Sequence, residues 1–126
     1  MDKYNVAIIG LGRVGTAFLD EMLCLAEKKI KVAYAVEKNE TAGKAQASAA
    51  GVKIVTLDEL VGLGDKVDVI FDLTGNEDAR KALREKLASA NNRHTVIAPE
   101  TIARMMWAVM SDDKELPFVV GRKTGY

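Results

Sequence analysis

Residues 4–18 read YNVAIIGLGRVGTAF, and this stretch decides the fold. Tyr4 to Ile9 is an apolar run without polar alternation, the pattern of a strand covered on both faces of a parallel sheet. It stops at Gly10. Over residues 13–29, apolar side chains at Val14, Ala17, Phe18, Met22 and Leu25 fall three and four apart. That spacing predicts a helix with one face on the sheet. Between strand and helix stands Gly10-Leu11-Gly12-Arg13-Val14-Gly15.

In this G-x-G-x-x-G spacing each glycine has its own task. Gly10 permits the tight turn out of the strand, Gly12 lets a pyrophosphate approach the backbone, and Gly15 brings the helix close to the strand. The free N–H groups and the dipole of the helix start then face the phosphate charge. The second strand, Lys31 to Val36, is closed by Glu37. An acidic residue about 20 positions after the glycines completes the dinucleotide fingerprint. Glu37 is suited to accept hydrogen bonds from the adenosine ribose and to repel a 2′-phosphate, which favours NAD over NADP. Lys38 beside it pulls the other way. Arg13 reads both as a phosphate contact and as an exposed helix-start residue.

The same alternation continues. Thr41 to Ala50 is an alanine-rich helix ended by Gly51, and Lys53 to Val55 is a short strand. Asp58 to Val61 reads as one helical turn capped by Thr56 or Asp58. Val67 to Leu73 is a strand, 77–90 a charged helix, Thr95 to Ala98 a strand, and 100–111 a helix opened by Pro99. Phe118 to Val120 is a last candidate strand. Strands alternating with helices imply an α/β fold, a doubly wound parallel sheet of the Rossmann type. One domain over 1–126 is expected, its core at about 4–111 and a tail at 112–126.

Ligands of such sheets lie beyond the carboxyl ends of the strands, where strand order reverses. Thr74-Gly75-Asn76, closing the fourth strand, is therefore expected to face the ribose and pyrophosphate, and Asn76 reads equally as a helix cap. Asp72 is expected to be buried against the glycine loop with backbone N–H partners. Ala98-Pro99-Glu100 falls on the nicotinamide side. Glu100 reads first as a helix-dipole residue and second as a catalytic acid. His94 belongs to the opposite end of the sheet, and Cys24, among Met22, Leu23 and Leu25, reads as core. One histidine and one cysteine far apart do not make a metal site.

Composition narrows the function classes. The 126 residues are 48% hydrophobic and carry 18 basic against 18 acidic side chains. That neutrality leaves no electrostatic footprint for nucleic acid or an anionic membrane. No apolar run approaches the roughly 20 residues of a membrane span. The single cysteine and the lack of a leader-like start point to a cytoplasmic setting. In helix 100–111, Ile102, Met106 and Val109 (or Met110) are expected on the sheet, leaving Met105 or Trp107 near the surface; a fully buried helix is the alternative. An exposed Met/Trp surface suits a homodimer formed through this helix or through the tail.

The strand-loop-helix VAIIGLGRVGTAF, the acidic end of AVEKN and the run VDVIFDLTGNEDARKAL together resemble the cofactor-binding domain of the glucose–fructose oxidoreductase/inositol dehydrogenase family. They are also similar to the equivalent domains of dihydrodipicolinate reductase and homoserine dehydrogenase. The resemblance spans about residues 4–110. It implies that Gly10, Leu11, Gly12, Arg13 and Val14 hold the pyrophosphate, Glu37 the adenosine ribose, and Thr74, Gly75 and Asn76 the inner half of the cofactor. The departures are a missing catalytic domain and Ile97-Ala98-Pro99-Glu100 where that family often has Glu-Lys-Pro.

The reading from sequence is therefore a stand-alone NAD(H)-binding module, regulatory or sensing, without a complete active site. Similar lone modules occur fused to bacterial signalling proteins. The alternatives are a small NAD(P)-dependent oxidoreductase with a substrate pocket formed between subunits, and binding of CoA or another adenine nucleotide.

Overall fold

A computed structural model of the chain describes residues 3–110. Its elements are β1 (Tyr4–Ile9), α1 (Arg13–Leu23), β2 (Ile30–Val36), α2 (Ala42–Ala49), β3 (Lys53–Ile54), α3 (Leu57–Gly62), β4 (Val69–Asp72), α4 (Glu77–Ser89), β5 (Val96–Ala98) and α5 (Glu100–Met110). The expected strand at Phe118 to Val120 and the tail lie outside the described residues.

All strands run parallel in the order β3-β2-β1-β4-β5. The order reverses between β1 and β4, so the strand ends at Ile9 and Asp72 flank a crevice. Side-chain alternation in β1 splits the core. Val6 and Ile8 point into one cluster with Phe18, Met22, Phe71 and Trp107, and Ala7 and Ile9 into another with Leu60, Ile70 and Leu83. The first layer holds α1, α2 and α5, and the second α3 and α4. Phe18 and Phe71 anchor the first with ring centroids 4.9 Å apart.

Three sequence expectations need correction. The helix starting at Arg13 ends at Leu23, not near residue 29; a 3-10 turn at Ala26–Lys28 follows. Left-handed Lys29 (φ 67°) then swings the chain into β2. Cys24 is exposed, because it sits about 200° around the helix from Met22, opposite the buried face of Val14, Phe18 and Met22. In α5 the buried residues are Glu100, Ala103 and Trp107; of those expected on the sheet, Met106 and the alternative Met110 pack against the core, while Ile102 and Val109 are 42% and 86% exposed. The large indole is what packs inward, because it removes the most apolar surface from water. Met105 is exposed, at 62%.

Caps set the helix starts that frame the crevice. Thr56 and Glu59 form a reciprocal capping box at α3, and Asn76 Oδ1 accepts the Asp78 and Ala79 N–H groups at α4. Thr41 Oγ1 accepts the Lys44 N–H at α2. Each satisfies donors that the helix itself leaves open.

Candidate functional site

The glycine loop is shaped by close contacts below it and by open space above. Gly10 has φ +93°, a left-handed conformation open to glycine. A Cβ on Gly15 would lie 1.8 Å from the Gly10 carbonyl oxygen, so only glycine lets α1 sit this close to the end of β1. A Cβ on Gly12 would meet nothing within 4 Å. Gly12 borders the crevice.

Glu37, half-buried at the end of β2, ties the loop to the sheet. Its Oε1 accepts the Leu11 N–H at 2.8 Å and its Oε2 accepts the Asn39 N–H at 3.0 Å. The Leu11 N–H is therefore already engaged, and the Leu11 and Val14 side chains are core residues. Arg13 and Lys38 are exposed at the rim.

At the end of β4, Asp72 is 1% exposed. Its Oδ1 accepts the Thr74 N–H at 3.2 Å and the Thr74 hydroxyl at 2.7 Å. The expected backbone partner thus exists, but it belongs to the next turn rather than to the glycine loop. Thr74 Oγ1 in turn accepts the Asn76 N–H at 3.1 Å, and Gly75 takes φ +68°. This chain of bonds fixes the β4–α4 turn against the crevice.

Two hollows meet above these strand ends. One, about 460 Å³, runs past Gly10, Gly12, Arg13, Val14, Thr41 and Asn76. The other, about 650 Å³, is bounded by Val55, Thr56, Leu57, Lys44 and Asp72. They share Ile9, Val36, Glu37, Lys38, Thr74 and Ala79, and so form one trough across the sheet. Leu11, Gly15 and Gly75 do not border it. The structure thus gathers most of the residues singled out from the sequence. Among the residues it adds are Thr41, Val55, Thr56, Leu57 and Ala79, whose only sequence signal was their place at a strand end, a helix cap or the first turn of a helix.

Glu100 and His94 lie apart from the trough. Glu100 is buried, with Oε1 3.3 Å from an Arg104 guanidinium nitrogen one helical turn away. His94, exposed at the far end, places Nε2 2.7 Å from Asp68 Oδ1. Asp68 Oδ2 also accepts the Asn5 N–H at 2.7 Å. That backbone N–H, followed by the imidazole, holds the Asp68 carboxyl below its ordinary value of 3.8. The Glu59 carboxyl is lowered too, by its bonds to the Thr56 backbone and hydroxyl. Among the described residues no helix is long and apolar enough to cross a membrane.

A family model described as NADP oxidoreductase, coenzyme F420-dependent, matches residues 5–100. No curated protein is detectably similar in sequence. Among solved structures, homoserine dehydrogenase of S. aureus superposes with a TM-score of 0.55 at 15% identity, over 88% of this chain and 30% of that one. Scyllo-inositol dehydrogenase of Lactobacillus casei, solved with NAD(H) and scyllo-inositol, gives 0.59 at 16%, over 87% and 34%. GenD2 of gentamicin A biosynthesis, solved with NAD, gives 0.58 at 18%, over 88% and 32%. At these identities the likeness is one of fold. The chain spans about a third of the length of these solved chains.

Proposed function

The chain is an NAD(P)-binding Rossmann domain belonging to the family of coenzyme F420-dependent NADP oxidoreductases, and we propose that its ligand is NAD(H). The observation that carries this reading is that Glu37 and Gly12 border one hollow at the strand ends, with nothing within 4 Å of a Cβ placed on Gly12. The pyrophosphate would lie over Gly12 and the start of α1, where a helix terminus favours negative charge. The adenosine ribose would donate to the Glu37 carboxylate, and the base would enter the hollow between Val55, Leu57 and Ala79. Thr74 and Asn76 would border the inner half of the cofactor.

The second reading, NADP, is favoured by the family and by three features of the same rim. Lys38, Arg13 and the start of α2 at Thr41 all border the hollow that holds Glu37. Calorimetric titration separates the two. NAD is expected to bind at least about tenfold more tightly than NADP, a difference of about 1.4 kcal/mol. The reverse order would assign NADP, and no binding of either below about millimolar would end the dinucleotide reading.

In this proposal the domain acts by reporting occupancy, since the ribose partner Glu37 also holds the glycine loop through Leu11. The exposed stripe of Ile102, Met105 and Val109 on α5 is the surface through which two copies would associate, and a cytoplasmic setting suits the ligand. Hydride transfer in a pocket completed by another chain or segment is the competing reading, supported by the oxidoreductase family. Turnover of NAD(P)H with a carbonyl or deazaflavin acceptor at high protein concentration would favour it over reporting.

A further inference from the structure

The base end of the trough contains a group that the dinucleotide reading leaves unused. Asp72 closes the floor of the 650 Å³ hollow, and its Oδ1 is spoken for by Thr74. Oδ2 has no hydrogen-bond partner among the described residues and is closed off from water. A buried carboxylate oxygen without a donor is costly, and such positions in native proteins commonly await a ligand or an ordered partner. The hollow that Asp72 borders offers apolar side chains from Ile9, Val36, Val55, Leu57 and Ala79, and it is lined as well by Glu37, Lys38, Lys44 and Glu59. A flat ring with a donor on its edge complements that setting: apolar walls for its faces, one acceptor for its amino group.

We propose that Asp72 selects an adenine base by accepting a hydrogen bond from its exocyclic 6-amino group. This rests on the dinucleotide reading of the trough. The ring enters the hollow that Asp72 borders and presents its own N–H to the unpartnered Oδ2. A 6-oxo base brings a second acceptor against the carboxylate, and an unpaired buried acceptor is what a polar site rejects most strongly. Thr74 keeps the carboxyl oriented, because its N–H and hydroxyl both donate to Oδ1. Asp72 is thus a specificity-determining residue for the base, and the phosphates and ribose are held elsewhere.

The test compares NAD with nicotinamide hypoxanthine dinucleotide, which carries a 6-oxo group and an N1–H where NAD has the 6-amino group and a bare N1, by calorimetry on the full chain. The wild-type protein is expected to favour NAD by at least about tenfold. Asp72→Asn is expected to bring the two affinities within about threefold of each other. A purely structural Asp72 would weaken both dinucleotides alike and leave their ratio unchanged, which would overturn the assignment. Equal binding of both by the wild type would overturn it as well, while leaving the dinucleotide reading intact. Binding of neither would remove both. The wild-type ratio decides the question even if the variant fails to fold, which a thermal melt reveals.

Discussion

Glu37 and Leu11 are joined across the top of the sheet, the carboxylate of one accepting the backbone N–H of the other at 2.8 Å. The acidic residue that ends β2 therefore shapes the glycine loop before any ligand arrives. Glu37→Ala removes this tether and, in the proposed reading, the ribose acceptor. It is expected to lower NAD affinity about tenfold to hundredfold, the loss of one to two charge-assisted hydrogen bonds. It should also narrow the gap between NAD and NADP, since the charge that opposes a 2′-phosphate is gone. Titrations of both dinucleotides against the variant check both effects.

Gly12 and Gly15 are predicted to behave oppositely when each receives a methyl group. Gly15→Ala drives a Cβ to 1.8 Å from the Gly10 carbonyl oxygen, which backbone alone would have to relieve. A loss of about 3 kcal/mol or more is expected, read as a lower denaturation midpoint. Gly12→Ala meets nothing within 4 Å, so stability should move by no more than about 0.5 kcal/mol. Its dinucleotide affinity should nevertheless fall if the pyrophosphate lies over Gly12 as proposed, because the methyl group would take up that open space.

Asn76 has a capping role that can be separated from ligand contact. Its Oδ1 accepts two N–H groups at the start of α4, so Asn76→Ala should cost about 1 kcal/mol of stability. Asn76→Asp keeps the cap and adds a negative charge at the edge of the trough. Near-native denaturant stability with weakened NAD binding is expected for Asp, and retained binding would place the dinucleotide away from this turn.

Asp68 makes part of the stability depend on acid. Its folded pKa lies below the ordinary 3.8, chiefly through the Asn5 N–H and then His94. The unfolded chain thus takes up this proton more readily than the folded one. The stabilisation is present above about pH 4 and is lost as the pH falls through the folded value. Asp68→Asn should be less stable than wild type near neutrality, with the gap closing below about pH 4. Urea melts across that range measure it.

The exposed face of α5 predicts association. Met105→Glu together with Val109→Glu changes residues that are 62% and 86% exposed, so the fold should survive. If two copies meet through this stripe, the wild type sediments as a dimer and the double variant as a monomer. Identical sedimentation of the two would remove α5 from any interface.

Features written in local sequence were legible because their physics is local. The helix cap at Asn76, the cap at Thr56 and the tight turn at Gly10 each depend on a few neighbouring residues. The faces of α1 and α5 were harder. Cys24 lies among apolar neighbours in sequence yet points outward, and Trp107 rather than Ile102 or Val109 packs inward. Periodicity names an apolar stripe but not its centre when apolar residues cover more than one face.

By itself, the amino-acid sequence determined that strands and helices alternate, that the first strand ends in a glycine-rich turn, and that an acidic residue closes the second. Those properties follow from backbone conformation and side-chain period, which each segment carries alone. Only the tertiary structure decided that Glu37 reaches Leu11 and that Val55, Leu57 and Ala79 share a hollow with Asp72. It alone also brought α2 so close to α1 that a Cβ on Gly43 would lie 2.0 Å from Thr16 Oγ1. These relations join residues far apart in the chain. They arise from the strand order β3-β2-β1-β4-β5, which is set by how two apolar layers close over one sheet.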